Sequence, residues 1–162
     1  MKHLKSQESY EIFISKKNIP YFETSKGLVY TLFSNPGNVT APGFSFSSQV
    51  TYVSFNCINR PPKQKRHWDP FIMNTVINFF IDILSVDPNA IIIYLYSPGE
   101  DQALQRERLF NKYVAKFLEQ IEQRHIEHKT DKGTLLFKRD NKFREELLSL
   151  TGEEIVKKID AK

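Results

Sequence analysis

Ile91-Ile92-Ile93-Tyr94-Leu95-Tyr96 is a run of six residues in which only the two phenol oxygens are polar. A half-exposed strand alternates apolar with polar side chains. A continuous apolar run therefore predicts an interior strand covered on both faces. It leads into Ser97-Pro98-Gly99-Glu100-Asp101, which offers two helix caps, and then into a helical pattern with Ala103, Phe110, Val114, Phe117 and Ile121 on one stripe. A buried strand delivering an acidic loop to a helix start is where open α/β sheets bind ligands. Nothing in the stretch amounts to a catalytic signature.

On the N-terminal side of this strand, Asp69-Pro70 marks a helix start: a side-chain cap, then a residue whose missing N–H costs nothing in the first turn. Ile72, Val76, Phe79, Phe80 and Ile83 form the main apolar stripe of a helix running to about Leu84. Met73, Ile77, Ile81 and Leu84 widen the stripe until the helix must be largely buried. Val86-Asp87-Pro88-Asn89 ends it.

Earlier still, the chain reads as strand and turn. Tyr10, Ile12 and Ile14 alternate, Tyr21-Phe22 is a second run and Leu28 to Phe33 a third. Gly27 in Ser25-Lys26-Gly27 supplies the positive φ of a tight turn. A Pro- and Gly-rich loop follows, and then a strand over Val50 to Ile58 with Thr51, Val53, Phe55 and Cys57 on one face. Two adjacent prolines, Pro61 and Pro62, forbid a helix in the next segment. With Arg60, Lys63, Lys65 and Arg66 it is the most positive stretch of the chain and is expected to be an exposed linker.

Downstream, the polar stretch Glu119 to Lys132 is expected to fray into solvent and Gly133 to Phe137 to form a last short strand. Phe143, Leu147, Leu148 and Leu150 suggest a helix, and Thr151-Gly152-Glu153-Glu154 is a capping box opening another near the end. The fold class expected is α+β: an antiparallel meander of about four strands, then helix-strand-helix-strand, in a mixed sheet flanked by helices. The later strand crossovers are expected to be right-handed with parallel neighbours. At 162 residues, one domain is expected over 1–162, with a core at about 8–138 and short C-terminal helices at about 141–160.

Composition narrows the function classes. The single cysteine, Cys57, excludes an internal disulfide framework and fits a reducing cytoplasm. No run approaches the roughly 20 apolar residues that span a bilayer, and residues 1–11 lack the apolar core of a signal peptide. A cytoplasmic protein without a membrane partner is expected. The formal charge of +4 permits acidic partners, yet is mild for a dedicated nucleic-acid binder.

The order of elements resembles the GNAT acyltransferase fold from about Tyr10 to Phe137. That family's phosphate-binding loop has the form Q/R-x-x-G-x-G/A, whose glycines let backbone N–H groups approach a pyrophosphate at a helix N-terminus. In register, this chain has Gln64-Lys65-Arg66-His67-Trp68-Asp69, with His67 and Asp69 at the small positions. The chain also resembles a family of small bacterial proteins to which no activity is assigned. That likeness rests on Tyr21-Phe22-Glu23-Thr24-Ser25-Lys26-Gly27-Leu28-Val29-Tyr30, on Asp69 to Val76, and on Asp101-Gln102-Ala103-Leu104-Gln105-Arg106-Glu107-Arg108-Leu109-Phe110. It implies a shared fold and shared site residues, not a reaction.

Candidate site residues follow from this reading. Asp69, Asp101 and Arg106 form a candidate ligand or anchoring site, with Arg106 at the edge of the apolar stripe seeking a carboxylate. Structural anchoring is the simpler role for it. Arg60, Lys63, Lys65 and Arg66 are candidate anion-binding residues. His125 and His128 are spaced i, i+3 but lack a third ligand, so no metal and no cofactor is assigned. His67 with Asp69 offers an acid and a base, although a loop histidine beside a helix cap needs no function, and Cys57 faces a strand's core stripe. Three function classes result. The favoured one is a binding or accessory protein for a small anionic ligand or a protein partner. The others are an atypical acyltransferase and a nucleic-acid-binding protein using the 60–66 linker with Trp68.

Overall fold

In the computed structural model, which describes residues 8–36, 44–61, 69–96, 108, 110–115, 119–128 and 131–155, the chain opens with the expected antiparallel meander. Its strands are β1 (Phe13–Ile14), β2 (Pro20–Glu23), β3 (Val29–Pro36) and β4 (Val50–Cys57). Gly27 takes φ 74° in the turn between β2 and β3, where a Cβ would be strained. The buried Thr24 closes that turn, its hydroxyl accepting from Leu28 N–H at 3.1 Å. The alternation at Tyr10 to Ile14 yields only a two-residue strand. Tyr10 N–H donates to Thr75 Oγ1 at 2.8 Å and so is tied to a helix instead of a ladder.

Helix α1 (Pro70–Val86) crosses one face of the sheet and returns the chain to β5 (Ile91–Tyr96), which lies parallel to β4. Asp69 caps α1 as its sequence predicts, its Oδ1 accepting from Phe71 N–H at 2.9 Å. The interior position expected of IIIYLY is observed. Ile91, Ile92 and Ile93 are fully buried, with Ile92 in the core under α1 and its two neighbours in the core on the opposite face.

The last two strands depart from the expectation. The described part of the polar stretch does not fray: Ile121–His128 is strand β6, paired antiparallel with β7 (Asp131–Lys138). Ile121 is therefore a strand residue, not the end of a helical stripe, and the helical segment described is α2 at residues 110–114. Strand β7 inserts between β5 and β6 and runs antiparallel to β5, giving the order β1-β2-β3-β4-β5-β7-β6. The parallel neighbour expected for this last strand does not form, because β7 follows β6 as its antiparallel partner and lies between it and β5. Among the described strands, β4 and β5 make the one parallel step.

Among the described residues the fold is thus mixed α+β, an open and mostly antiparallel seven-stranded sheet with few helices. Phe22, Leu32, Val53, Ile92 and Leu136 meet α1 and α2 residues such as Phe80 and Phe110 on one face. On the other, Ile91, Ile93, Leu135 and Phe137 meet Leu147 of helix α3 (Arg144–Ser149) and Ile155. The capping box forms both its bonds: Glu154 N–H donates to Thr151 Oγ1 at 3.1 Å and Thr151 N–H to Glu154 Oε2 at 2.6 Å. Among the described residues no helix is long and apolar enough to cross a membrane.

Candidate functional site

The ladder between the parallel strands covers only Val50↔Ile91, Thr51↔Ile92 and Tyr52↔Ile93. Beyond these, β4 continues to Cys57 paired with β3, and β5 continues to Tyr96 paired with β7. The two strands therefore stop pairing with each other at their C-terminal ends. In the middle of a sheet, backbone groups facing such an opening lose the partner that a continuous ladder supplies. The carboxyl ends of parallel strands are also where α/β sheets place ligands.

Arg60 stands at this end of β4. The chain leaves the strand through Ile58, whose N–H donates to Val29 O at 3.0 Å. Asn59 then pins the exit to the β2–β3 turn: its Oδ1 accepts from Val29 N–H at 2.8 Å and its Nδ2 donates to Gly27 O at 2.8 Å. That fixes Arg60 so that its guanidinium donates from one terminal nitrogen to the Tyr30 hydroxyl at 2.6 Å. Tyr30 sits opposite Cys57 in the β3–β4 ladder. Burial pushes the Tyr30 phenol above its usual pKa, outweighing the opposing pull of Arg60. Tyr30 therefore stays protonated at neutral pH, and Arg60 has a neutral partner.

Asp69 lies at the start of α1 and has two obligations. Besides capping Phe71, it accepts a 2.6 Å hydrogen bond from the Tyr10 hydroxyl through Oδ2. Tyr10 OH in turn accepts from Ser25 N–H at 3.3 Å. The buried Tyr113 phenol of α2 is pushed up by burial first and by the Asp69 charge second. Between Arg60 and Asp69 the rings form a row across the sheet. Tyr10 stacks on Phe22 and Phe22 on Tyr30; Tyr30 touches Phe55, Phe55 stacks on Tyr94, and Tyr94 on Phe110. Phe55 of β4 and Tyr94 of β5, 5.9 Å apart and nearly coplanar in orientation, close the α1 side of the opening.

The structure thus brings Asp69 and Arg60 to one end of the sheet without joining them, since no ion pair links the two. Asp101, Arg106, Lys63, Lys65 and Arg66, with His67 and Trp68, lie outside the described residues. Cys57 is half-buried with its thiol among Tyr30 and Asn59, as a strand residue on the core stripe should be. His125 and His128 both fall on β6, so the helical spacing that suggested a shared metal does not apply. No group of three ligating side chains occurs among the described residues. Tyr10 and Tyr30 were not legible as site residues. They lie 59 and 30 positions from their partners, and no local pattern reports such contacts.

A shallow cleft of about 330 Å³ lies elsewhere, lined by Ser48, Gln49, Thr51, Ile83, Val86, Asp87 and Ala90 at the opposite ends of β4 and β5. Its one carboxylate, Asp87, accepts from Asn89 N–H at 2.8 Å. Set against family models, curated proteins and solved structures, the chain has no significant match to any of them.

Proposed function

We propose that this protein is a binding or accessory module on an acyltransferase-like scaffold, acting in the cytoplasm and taking a small anionic ligand or a protein partner at the opening between β4 and β5. Support for the scaffold comes from the four-stranded meander, the parallel step across α1 and the opening that follows it. The observation that carries the reading is the double commitment of Asp69. A pyrophosphate at a helix start needs free N–H groups and no competing anion. Here the first available N–H of α1, that of Phe71 after Pro70, is taken by this chain's own carboxylate, and Tyr10 locks that carboxylate in place. With His67 and Asp69 where the acyltransferase loop has small residues, the usual acyl-CoA cradle is replaced.

A second reading, an atypical acyltransferase, is favoured by the opening itself together with the Arg60 cation beside it. A thermal-shift screen against CoA esters, nucleotides and single-stranded oligonucleotides tests both. The binding-module reading expects no stabilisation by CoA esters. Stabilisation by acetyl-CoA favours the transferase. Stabilisation by oligonucleotides alone moves the function to the basic 60–66 segment.

A further inference from the structure

We infer that Arg60, held by Tyr30, is a single-anion receptor at the C-terminal end of β4, built to take one carboxylate or phosphoryl group of the ligand. The inference rests on the binding-module reading and adds to it the chemical class of the group recognised and the residue that holds it.

A half-buried guanidinium at a sheet end normally satisfies its planar fork with a carboxylate. Arg60 spends one terminal nitrogen on a tyrosine hydroxyl. Among the described residues no acid pairs with it, and the nearest described acid along the chain, Asp69, is held by Phe71 N–H and Tyr10 OH. The remaining N–H groups of the fork carry the charge and the geometry that match two oxygens of one anion.

Placement of the fork does not depend on chance. Asn59 and Ile58 tie the backbone before it to Val29 and Gly27, and Tyr30 OH holds its end. Tyr30 keeps its own proton because it is buried, so it accepts from Arg60 without neutralising it. The cation is preorganised, and no acid among the described residues pairs with it. Tyr30 is a positioning residue in this arrangement: it orients the arginine and does not touch the anion. A polyanion patch needs several free cations side by side, whereas Arg60 is individually fixed beside the aromatic row of Tyr30, Phe55 and Tyr94. That surrounding suits a ligand with one charged end and an apolar or planar body.

The test is an NMR titration of the arginine side-chain N–H signals of the full chain with inorganic phosphate and, separately, acetate, at constant ionic strength kept with sodium chloride. The expected result is a saturable shift at Arg60 with one of the two anions. It should be absent in Arg60→Gln and weakened severalfold in Tyr30→Phe, which keeps the ring but loses the hydroxyl. Preference for phosphate assigns a phosphoryl group, and preference for acetate a carboxylate. Arg60→Lys, which keeps the charge and loses the fork, should bind at least about tenfold more weakly than the parent and covers the case in which Arg60→Gln fails to fold. A response that does not saturate, or that persists in Arg60→Gln, overturns the assignment. Tight acetyl-CoA binding with an intact Arg60 response would instead defeat the binding-module reading and leave the receptor standing.

Discussion

The Asp69 carboxylate joins the first turn of α1 to the N-terminal segment, taking Phe71 N–H on one oxygen at 2.9 Å and the Tyr10 hydroxyl on the other at 2.6 Å. Asp69→Ala removes a helix cap and leaves a half-buried hydroxyl without its acceptor. The expected loss of stability in chemical denaturation is about 2 to 3 kcal/mol. Tyr10→Phe, which spares the cap, should cost about 1 kcal/mol. Equal costs for the two variants would mean that the cap contributes nothing.

Glu8 to Tyr10 is strapped along α1 by three side chains of one helix face. Asn74 Nδ2 donates to Glu8 O at 2.8 Å, Thr75 Oγ1 accepts from Tyr10 N–H at 2.8 Å, and Asn78 Nδ2 donates to Ser9 Oγ at 3.0 Å. Asn74→Ala with Asn78→Ala should loosen the strap without unfolding the sheet. Hydrogen exchange of Tyr10 N–H should then rise by at least about tenfold, with the β5 amides unchanged. Unchanged exchange at Tyr10 would show that Thr75 and Asp69 hold the segment alone.

Arg124 on β6 donates from both terminal nitrogens to Leu147 O and Leu150 O, closing the C-terminal end of α3 against the sheet edge. Burial lowers its pKa, an effect partly offset by Glu154. Arg124→Ala leaves two carbonyls without donors and should cost about 1 to 3 kcal/mol. Arg124→Lys, a point charge unable to span both oxygens, should recover less than half of that. Full recovery by lysine would show that charge, not the fork, matters.

Strand β6 also marks where the sequence stops being readable. Its two isoleucines, Ile121 and Ile126, are five residues apart and serve opposite faces, so no period-two pattern appears. Its charges look solvated in the sequence, yet Arg124 binds carbonyls and Glu122 takes a bidentate ion pair from Arg144, at 2.6 Å and 3.1 Å. By contrast the interior strand, the Gly27 turn, the Asp69 cap and the capping box were legible because each depends on residues at most a few positions apart. The candidate site was half legible for the same reason: Asp69 and Arg60 stand out as charges, but Tyr10 and Tyr30 are defined by distant contacts.

Stability should fall on the alkaline side. Tyr30, Tyr52 and Tyr113 all have pKa values raised, in each case chiefly by burial. A phenol whose folded pKa exceeds its unfolded value keeps its proton longer when folded, so its contribution is fully present below about pH 10 and is lost as pH rises past that point. Denaturation midpoints should drop above about pH 10, with tyrosinate absorbance growing in step with unfolding. Tyrosinate absorbance from these rings growing at about pH 10 in the fully folded protein would contradict the burial account.

The most direct test of the binding-module account is isothermal titration calorimetry of the full chain with acetyl-CoA, because it probes the site that the Asp69 carboxylate closes. No saturable heat at micromolar ligand is the result expected from a helix start already occupied by its own carboxylate. Saturable micromolar binding, retained in the Asp69→Asn variant, would contradict it and make the protein an acyl-CoA binder.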